Sequence, residues 1–76
     1  MKTVLITGAN RGIGLATAKL LKKRKYKVIG IARKKIRNFP GRFYECDLTN
    51  QKSIKQLIKQ IKNYNIDCLI NNAGTS

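Results

Sequence analysis

The sequence contains no histidine and no tryptophan, and only three of its 76 residues are acidic. Without histidine, the chain cannot build a Ser-His-Asp triad, a Cys-His nucleophile pair or a Cys/His zinc site from its own side chains. Its two cysteines, Cys46 and Cys68, form neither a CxxC motif nor a metal-ligand spacing. We therefore expect no metal site and a reducing, cytoplasmic setting.

Long apolar runs are also missing. The apolar stretch before Gly8 covers only residues 3–6, and this length is too short for a signal peptide. No segment approaches the ~20 apolar residues of a membrane span, so we expect no membrane contact. Residues 1–76 are interpreted as a single small domain, whose core is marginal without a partner or ligand.

Positive charge is abundant and unevenly distributed. Residues 1–44 carry 13 of the 17 Lys and Arg residues and no carboxylate, and the net charge of the chain is +14. This asymmetry indicates an anionic partner for the first part, either the phosphates of a nucleotide or a nucleic acid. A solvated, lysine-rich surface explains many of the individual lysines equally well. The run 22–25 also suits the negative end of a helix dipole.

Two segments have helical periodicity. A helix is predicted over residues 13–24, with an apolar stripe of Ile13, Ala16 and Leu20 and with Leu21 beside it. Thr49 or Asn50 can cap a second helix. Its apolar positions follow the spacing i, i+3, i+4 and i+7 and are Ile54, Leu57, Ile58 and Ile61.

Four short apolar or β-branched runs predict strands at residues 3–7, 27–32, 42–46 and 67–71. Alternation of these strands with two helices and a short basic connection is typical of a parallel α/β sheet. Right-handed crossovers predict the strand order 3-2-1-4 with helices on both faces, a Rossmann-like three-layer half-domain. The two cysteines then lie on opposite edges of the sheet, and we expect no disulfide between them.

A glycine loop, TGANRGIG at residues 7–14, joins the first strand to the first helix. The first glycine allows a tight turn, the second lets backbone approach a pyrophosphate, and the third lets the helix pack closely on the strand. Amides at the helix start attract phosphate. The spacing GxxxGxG is neither GxGxxG nor a P-loop. The candidate cofactor contacts in this loop are Gly8, Asn10, Arg11, Gly12, Ile13 and Gly14.

Three segments in register resemble the short-chain dehydrogenase/reductase family. TGANRGIG (7–14) is similar to the family's TGxxxGIG signature, CDLT (46–49) to its Asp-Leu/Val segment after the third strand, and NNAG (71–74) to its NNAG segment after the fourth. The resemblance covers nearly the whole chain. It implies an NAD(P)-dependent oxidoreductase with the predicted Rossmann architecture.

The same resemblance implies site residues outside the glycine loop. Two residues are expected to line the adenine pocket, namely Asp47 and Leu48. Three are expected to pass beside the cofactor ribose, namely Asn72, Ala73 and Gly74. Asn71 is expected to help tie the sheet together.

The end of the second strand indicates which cofactor is bound. An NAD site needs a carboxylate there to accept a hydrogen bond from the ribose 2′-hydroxyl, and no acid precedes Glu45. The strand ends at Arg33 instead, and Arg11 lies inside the glycine loop. An arginine in each place resembles NADP-preferring members of the family, because guanidinium groups bind phosphate with forked donors. NADP is therefore predicted, and NAD is the weaker alternative.

The sequence lacks the catalytic motif of the family that it resembles. The family uses a Tyr-x-x-x-Lys motif and a Ser, but Gly30, Leu48 and Cys68 stand four residues after the three tyrosines. We therefore expect the chain to be inactive alone, whether it is a fragment, a truncated gene product or a designed half-domain. Its fourth strand would expose an apolar edge, which predicts self-association through Leu69 and Ile70.

Two other functions are compatible with parts of the sequence. One is a stand-alone nucleotide-binding module without an enzymatic role. The other is a small basic RNA-binding domain, suggested by the charge and the glycine loop. The five aromatic residues do not form an RNP-type run, and the 46–49 and 71–74 segments would go unexplained. These observations disfavour nucleic acid as the principal partner.

Overall fold

Valine, isoleucine and leucine predominate in two largely buried strands, β1 (Thr3–Thr7) and β2 (Lys27–Ala32), of which only Lys27 is exposed. β-Branched residues suit a strand that is covered on both faces. The edge strands, β3 (Arg42–Glu45) and β4 (Cys68–Ile70), are shorter and more exposed. The computed structural model, which describes residues 1–72, arranges them as one parallel sheet in the order β3-β2-β1-β4. The predicted strand order is confirmed.

One helix covers each face of the sheet. Helix α1 (Gly12–Lys23) packs through Ala18 against a cluster that includes Val4, Ile6 and Val28. Helix α2 (Gln51–Ile61) packs through Leu57 against a cluster of Leu5, Ile29, Ile31 and Cys46. Successive β1 side chains alternate between the clusters, as the pleat of a strand requires. The predicted three-layer architecture is therefore also present.

The predicted apolar stripe of α1 is wrong. Ile13 is 77% exposed and Leu20 is 52% exposed, and Ala16 is exposed as well. The buried face instead carries Gly14 and Ala18, and Leu21 packs at its edge. Small residues let the helix backbone lie close to the sheet, and this approach fixes the rotation of α1 about its axis.

Element boundaries differ from the predictions by one residue. Helix α1 begins at Gly12 rather than 13, and strands β3 and β4 lose their predicted terminal residues. Of the two predicted caps for α2, the structure uses Asn50, whose side chain accepts a hydrogen bond from the Ser53 amide at 3.1 Å. The Thr49 hydroxyl donates to Asp47 instead.

The described residues also bear on metals, membranes and thiols. Within residues 1–72, neither helix has the length and apolar character needed to span a bilayer. The same residues contain no group of three or more side chains suited to hold a metal ion. Cys46 is buried beside β3 and Cys68 is exposed on β4, and both thiols are free. The cytoplasmic setting stays an expectation.

Strand β4 pairs with β1 on one side, and its Leu69 is 61% exposed. Leu69 lies next to Leu5 in the register, on the face that α2 covers further along the sheet. The predicted self-association through this edge stays a prediction.

The position of α1 predicts that alanine substitutions at two adjacent leucines lower the free energy of unfolding by different amounts. Leu21→Ala should lower the free energy of unfolding by about 2 kcal/mol, because Leu21 packs on the buried cluster. Leu20→Ala should change it by less than about 0.5 kcal/mol, because that side chain faces solvent. Urea denaturation of both variants checks this, and a larger loss for Leu20→Ala would support the stripe predicted from the sequence.

Candidate nucleotide-binding site

The predicted site segments lie at one edge of the sheet. In a parallel sheet all carboxyl ends meet at the same edge, where ligands of open α/β folds bind. The glycine loop follows β1, Arg33 follows β2, residues 46–49 follow β3 and Asn71 follows β4. The topology thus brings together four segments that are far apart in sequence.

The glycine loop takes two left-handed turns at glycine. Gly8 has φ of 63° and Gly12 has φ of 56°, a region that side chains with a Cβ rarely adopt. Between them, Ala9 is fully buried and its amide donates to the Ile31 carbonyl at 3.2 Å. Asn10 Nδ2 donates to the Lys34 carbonyl at 3.3 Å. The loop is therefore tied to β2 and to the connection that follows it.

Helix α1 starts without a side-chain cap. Its N-cap residue is Arg11, with extended backbone, and no side chain of residues 1–72 makes a capping hydrogen bond there. The first turn contains no acidic residue, and Ile13 at its start is exposed. First-turn amides have no partner within a helix and carry the positive end of its dipole. The arrangement can therefore accept an anion such as a pyrophosphate.

Gly14 permits the closest approach between α1 and the end of β1. A Cβ at this position would lie 2.3 Å from the Gly8 carbonyl oxygen and 2.6 Å from Asn72 Nδ2. Both distances are too short for a side chain. The third glycine of the loop is thus required by the packing of α1 on β1.

A hydrogen-bond network ties the end of β4 to the glycine loop. The Thr7 hydroxyl donates to Asn71 Oδ1 at 3.1 Å and accepts from the Asn72 amide at 2.9 Å. Asn72 Nδ2 donates to the Gly8 carbonyl at 3.1 Å. The network gives Asn71 the kind of contact expected of it. It also places the Asn72 side chain against the loop, while Ala73 and Gly74 lie outside the described residues.

Asp47 and Leu48 form a turn after β3. The Thr49 hydroxyl and amide donate to Asp47 Oδ1 at 2.6 Å and 3.0 Å. These hydrogen bonds hold the pKa of the Asp47 carboxyl below its usual value, and the charge of Arg33 acts in the same direction. The carboxylate is therefore ionised at neutral pH. Leu48 is exposed and offers an apolar surface at the same edge.

The two candidate phosphate-binding arginines, Arg11 and Arg33, are both exposed. Glu45 is the last residue of β3, and its Oε2 accepts from the Lys35 amide at 3.0 Å. Glu45 thus holds the backbone of the connection that follows Arg33. The second strand itself ends without an acid, as the sequence indicated.

Sequence reasoning missed two supporting residues. Thr7 is buried and its hydroxyl joins Asn71 to Asn72. Ser53 Oγ accepts from the Asp47 amide at 2.8 Å and so fixes the turn that follows β3. A threonine directly before the first glycine was a visible signal for the first. The second had no local signal, because the contact depends on where α2 begins.

Alanine substitutions at the second and third glycines of the loop, Gly12 and Gly14, are expected to lower stability to different extents. Gly14→Ala should lower the free energy of unfolding by about 3 kcal/mol, because backbone must move to admit the methyl group. Gly12→Ala has open space around its Cβ and should cost about 1 kcal/mol from its left-handed conformation alone. Thermal and urea unfolding of both variants test this order. Equal losses would mean that Gly14 is not a packing contact.

Comparison with known proteins finds matches over nearly the whole chain. The sequence model of the family described as short chain dehydrogenase matches residues 2–76. Human dehydrogenase/reductase SDR family member 11 is 35% identical, over 96% of this chain and 34% of that protein. The chain thus spans about a third of the length of the curated relatives it matches.

Solved structures superpose on nearly all of the chain. A short-chain dehydrogenase/reductase of Burkholderia multivorans with bound NADP has a TM-score of 0.85 and 30% identity, covering 99% of this chain and 37% of that one. A 4-hydroxyisoleucine dehydrogenase complexed with NADH has a TM-score of 0.85 and 31% identity, covering 97% and 34%. The chain therefore belongs to the short-chain dehydrogenase/reductase family.

Proposed function

We propose that this chain is the NADP(H)-binding part of a short-chain dehydrogenase/reductase-type oxidoreductase. The observation that carries the proposal is the glycine loop, whose uncapped helix start faces the same sheet edge as the end of β2. The reaction class is inferred from the family, and the cofactor preference is inferred from the residues of this chain. When bound, the nicotinamide cofactor would provide the hydride of that chemistry.

Each part of the dinucleotide has candidate contacts at this edge. The first-turn amides of α1 and the glycine loop would hold the pyrophosphate. Asp47 and Leu48 would border the adenine, and the segment beginning at Asn72 would run beside a ribose. The hydrogen bonds of Thr7 and Asp47 hold these segments in place before any ligand arrives. Such preorganisation lowers the ordering entropy that binding must offset.

The choice of NADP over NAD rests on charge. Relatives in the family include one solved with NADP and one with NADH, so membership alone does not decide the cofactor. In this chain the position after β2 carries Arg33, and Glu45 is engaged with the Lys35 amide. A 2′-phosphate meets guanidinium groups here, whereas a 2′-hydroxyl would lack the usual carboxylate acceptor.

Arg33→Ala tests this preference. The substitution should weaken NADPH binding about tenfold, because it removes a charge-assisted hydrogen bond to the 2′-phosphate, and should leave NADH binding within about twofold. Cofactor fluorescence titration measures both constants. Arg24→Ala removes another exposed arginine, the C-cap of α1, and serves as the control for net charge. Equal losses for NADPH and NADH in the Arg33 variant would refute the 2′-phosphate role.

The same chain is proposed to bind cofactor without turnover. None of its three tyrosines has a lysine four residues later, so the proton donor that the family places beside the substrate is absent from this sequence. The purified 76-residue chain should bind NADPH yet show no ketone-dependent NADPH oxidation in a spectrophotometric assay. Measurable turnover would mean that another side chain supplies the proton.

A further inference from the structure

The nucleotide site uses only part of the positive charge, and a second group of cations lies at the opposite edge of the sheet. This amino-edge cluster consists of Lys2, the run 22–25, Lys27 and Arg42, all of them exposed. Nothing in the proposed cofactor site engages these side chains. Their density is the most prominent feature of the surface that the proposed cofactor site does not use.

Topology brings the cluster together. Lys27 and Arg42 begin β2 and β3, and the Lys27 amide donates to the Lys2 carbonyl at 2.9 Å beside the start of β1. Helix α1 runs back from the carboxyl edge and ends at Lys23, so that the run 22–25 lies at the amino edge. A strand of five residues separates this edge from the glycine loop by about 17 Å. The two basic regions are therefore distinct surfaces.

The acidic residues offset only a small part of the cluster's charge. Glu45 and Asp47 lie at the carboxyl edge, where they accept from Lys35 and Thr49. Asp67 lies at the amino edge, and its Oδ2 accepts from the Thr3 amide at 2.8 Å. A hydrogen bond to a neutral amide leaves a carboxylate charged, so Asp67 offsets one of the seven cationic side chains of the cluster. The remaining excess of positive charge attracts an anionic partner.

The backbone conformation of Lys25 is a second observation, independent of the charge of the cluster. It has φ of 70° at the position after the α1 C-cap, and the Tyr26 amide donates to the Leu21 carbonyl at 3.0 Å. The Lys25 amide donates to the Lys22 carbonyl, which completes a Schellman motif. Glycine normally occupies this left-handed position, because a Cβ is strained there. A lysine is therefore present where glycine would be the stable choice. The helix dipole accounts for cations in the last turn but not for this residue.

The amino edge also carries a shallow depression that is open to solvent. It has a volume of about 420 Å³, and its lining includes Lys22, Arg42, Gly41 and the half-buried Tyr26. Its size suits a group comparable to a nucleoside. A flat bilayer surface would not fill it, whereas a flexible single strand can place a nucleotide in it.

We propose that the amino-edge cluster binds the sugar–phosphate backbone of single-stranded nucleic acid without reading its bases. Binding of this kind depends on cations and counterion release and requires no RNP-type aromatic run. The aromatic pattern that disfavours a base-reading RNA domain therefore does not bear on it. The surface is separate from the cofactor site and acts whether or not NADP(H) is bound.

The test is fluorescence anisotropy of a labelled oligo(dT) of about 16 nucleotides, titrated with the 76-residue chain at several KCl concentrations. Lys22→Gln/Arg42→Gln removes two charges from the cluster. The matched control, Lys52→Gln/Lys55→Gln, removes two exposed charges from the first turns of α2. The cluster variant should bind about tenfold more weakly, and its salt slope should fall by about 0.7 for each phosphate that it no longer neutralises. The control should change affinity by less than about twofold. Equal effects of the two variants would overturn the proposal.

Lys25→Gly separates binding from folding. It should raise the melting temperature, because the left-handed strain is relieved, and still weaken oligonucleotide binding. Unchanged binding by this variant would overturn the role of Lys25.

Two competition experiments distinguish other partners. Saturating NADPH should not displace the oligonucleotide, and displacement would assign binding to the glycine loop instead. Vesicles containing phosphatidylserine should bind more weakly than oligo(dT). If the cluster variant weakens vesicle binding and the chain does not bind the oligonucleotide, the surface is assigned to a membrane.

Discussion

The contact of helix α1 with the end of β1 at Gly14 determines most of the architecture. Because a Cβ there would meet the Gly8 carbonyl, the helix can lie against the strand only with glycine at this position. That approach rotates α1 so that Ala18 packs on the sheet and Ile13 stays exposed. It also holds the first-turn amides at the sheet edge, beside the Asn72 side chain. Packing and the proposed phosphate binding therefore depend on the same backbone contact.

Local patterns were sufficient to predict the elements and their order. Buried β-branched runs identified β1 and β2, and right-handed crossovers determined their neighbours. The face of α1 could not be predicted in the same way. Periodicity favoured the larger apolar residues Ile13 and Leu20, whereas the real face is chosen by small residues that admit the sheet. Hydrophobic periodicity predicts the buried face of a helix when large apolar side chains fill the interface. It fails when the helix backbone must lie close to the sheet, because small residues then occupy the buried face.

The site shows the same division between local and long-range information. The glycine loop and the arginine after β2 are readable from sequence because each follows a predicted strand. The Thr7 hydroxyl bridge joins residues 64 positions apart, and no local pattern reveals such a contact. The Asn10 bond to the Lys34 carbonyl likewise links two loops through the fold. Supporting contacts of this kind become visible only when the topology brings strand ends together.

Charge connects the two edges of the sheet. A net charge of +14 on a small domain destabilises the compact state through self-repulsion, so any anion that binds the folded form should stabilise it. Phosphate at the carboxyl edge and phosphate at the amino edge would each relieve a different cluster. Because about a strand's length separates the clusters, their mutual repulsion is partly screened at physiological salt, and the two stabilisations should be close to additive. Additivity would identify two independent anion surfaces, whereas competition would mean that one surface serves both ligands.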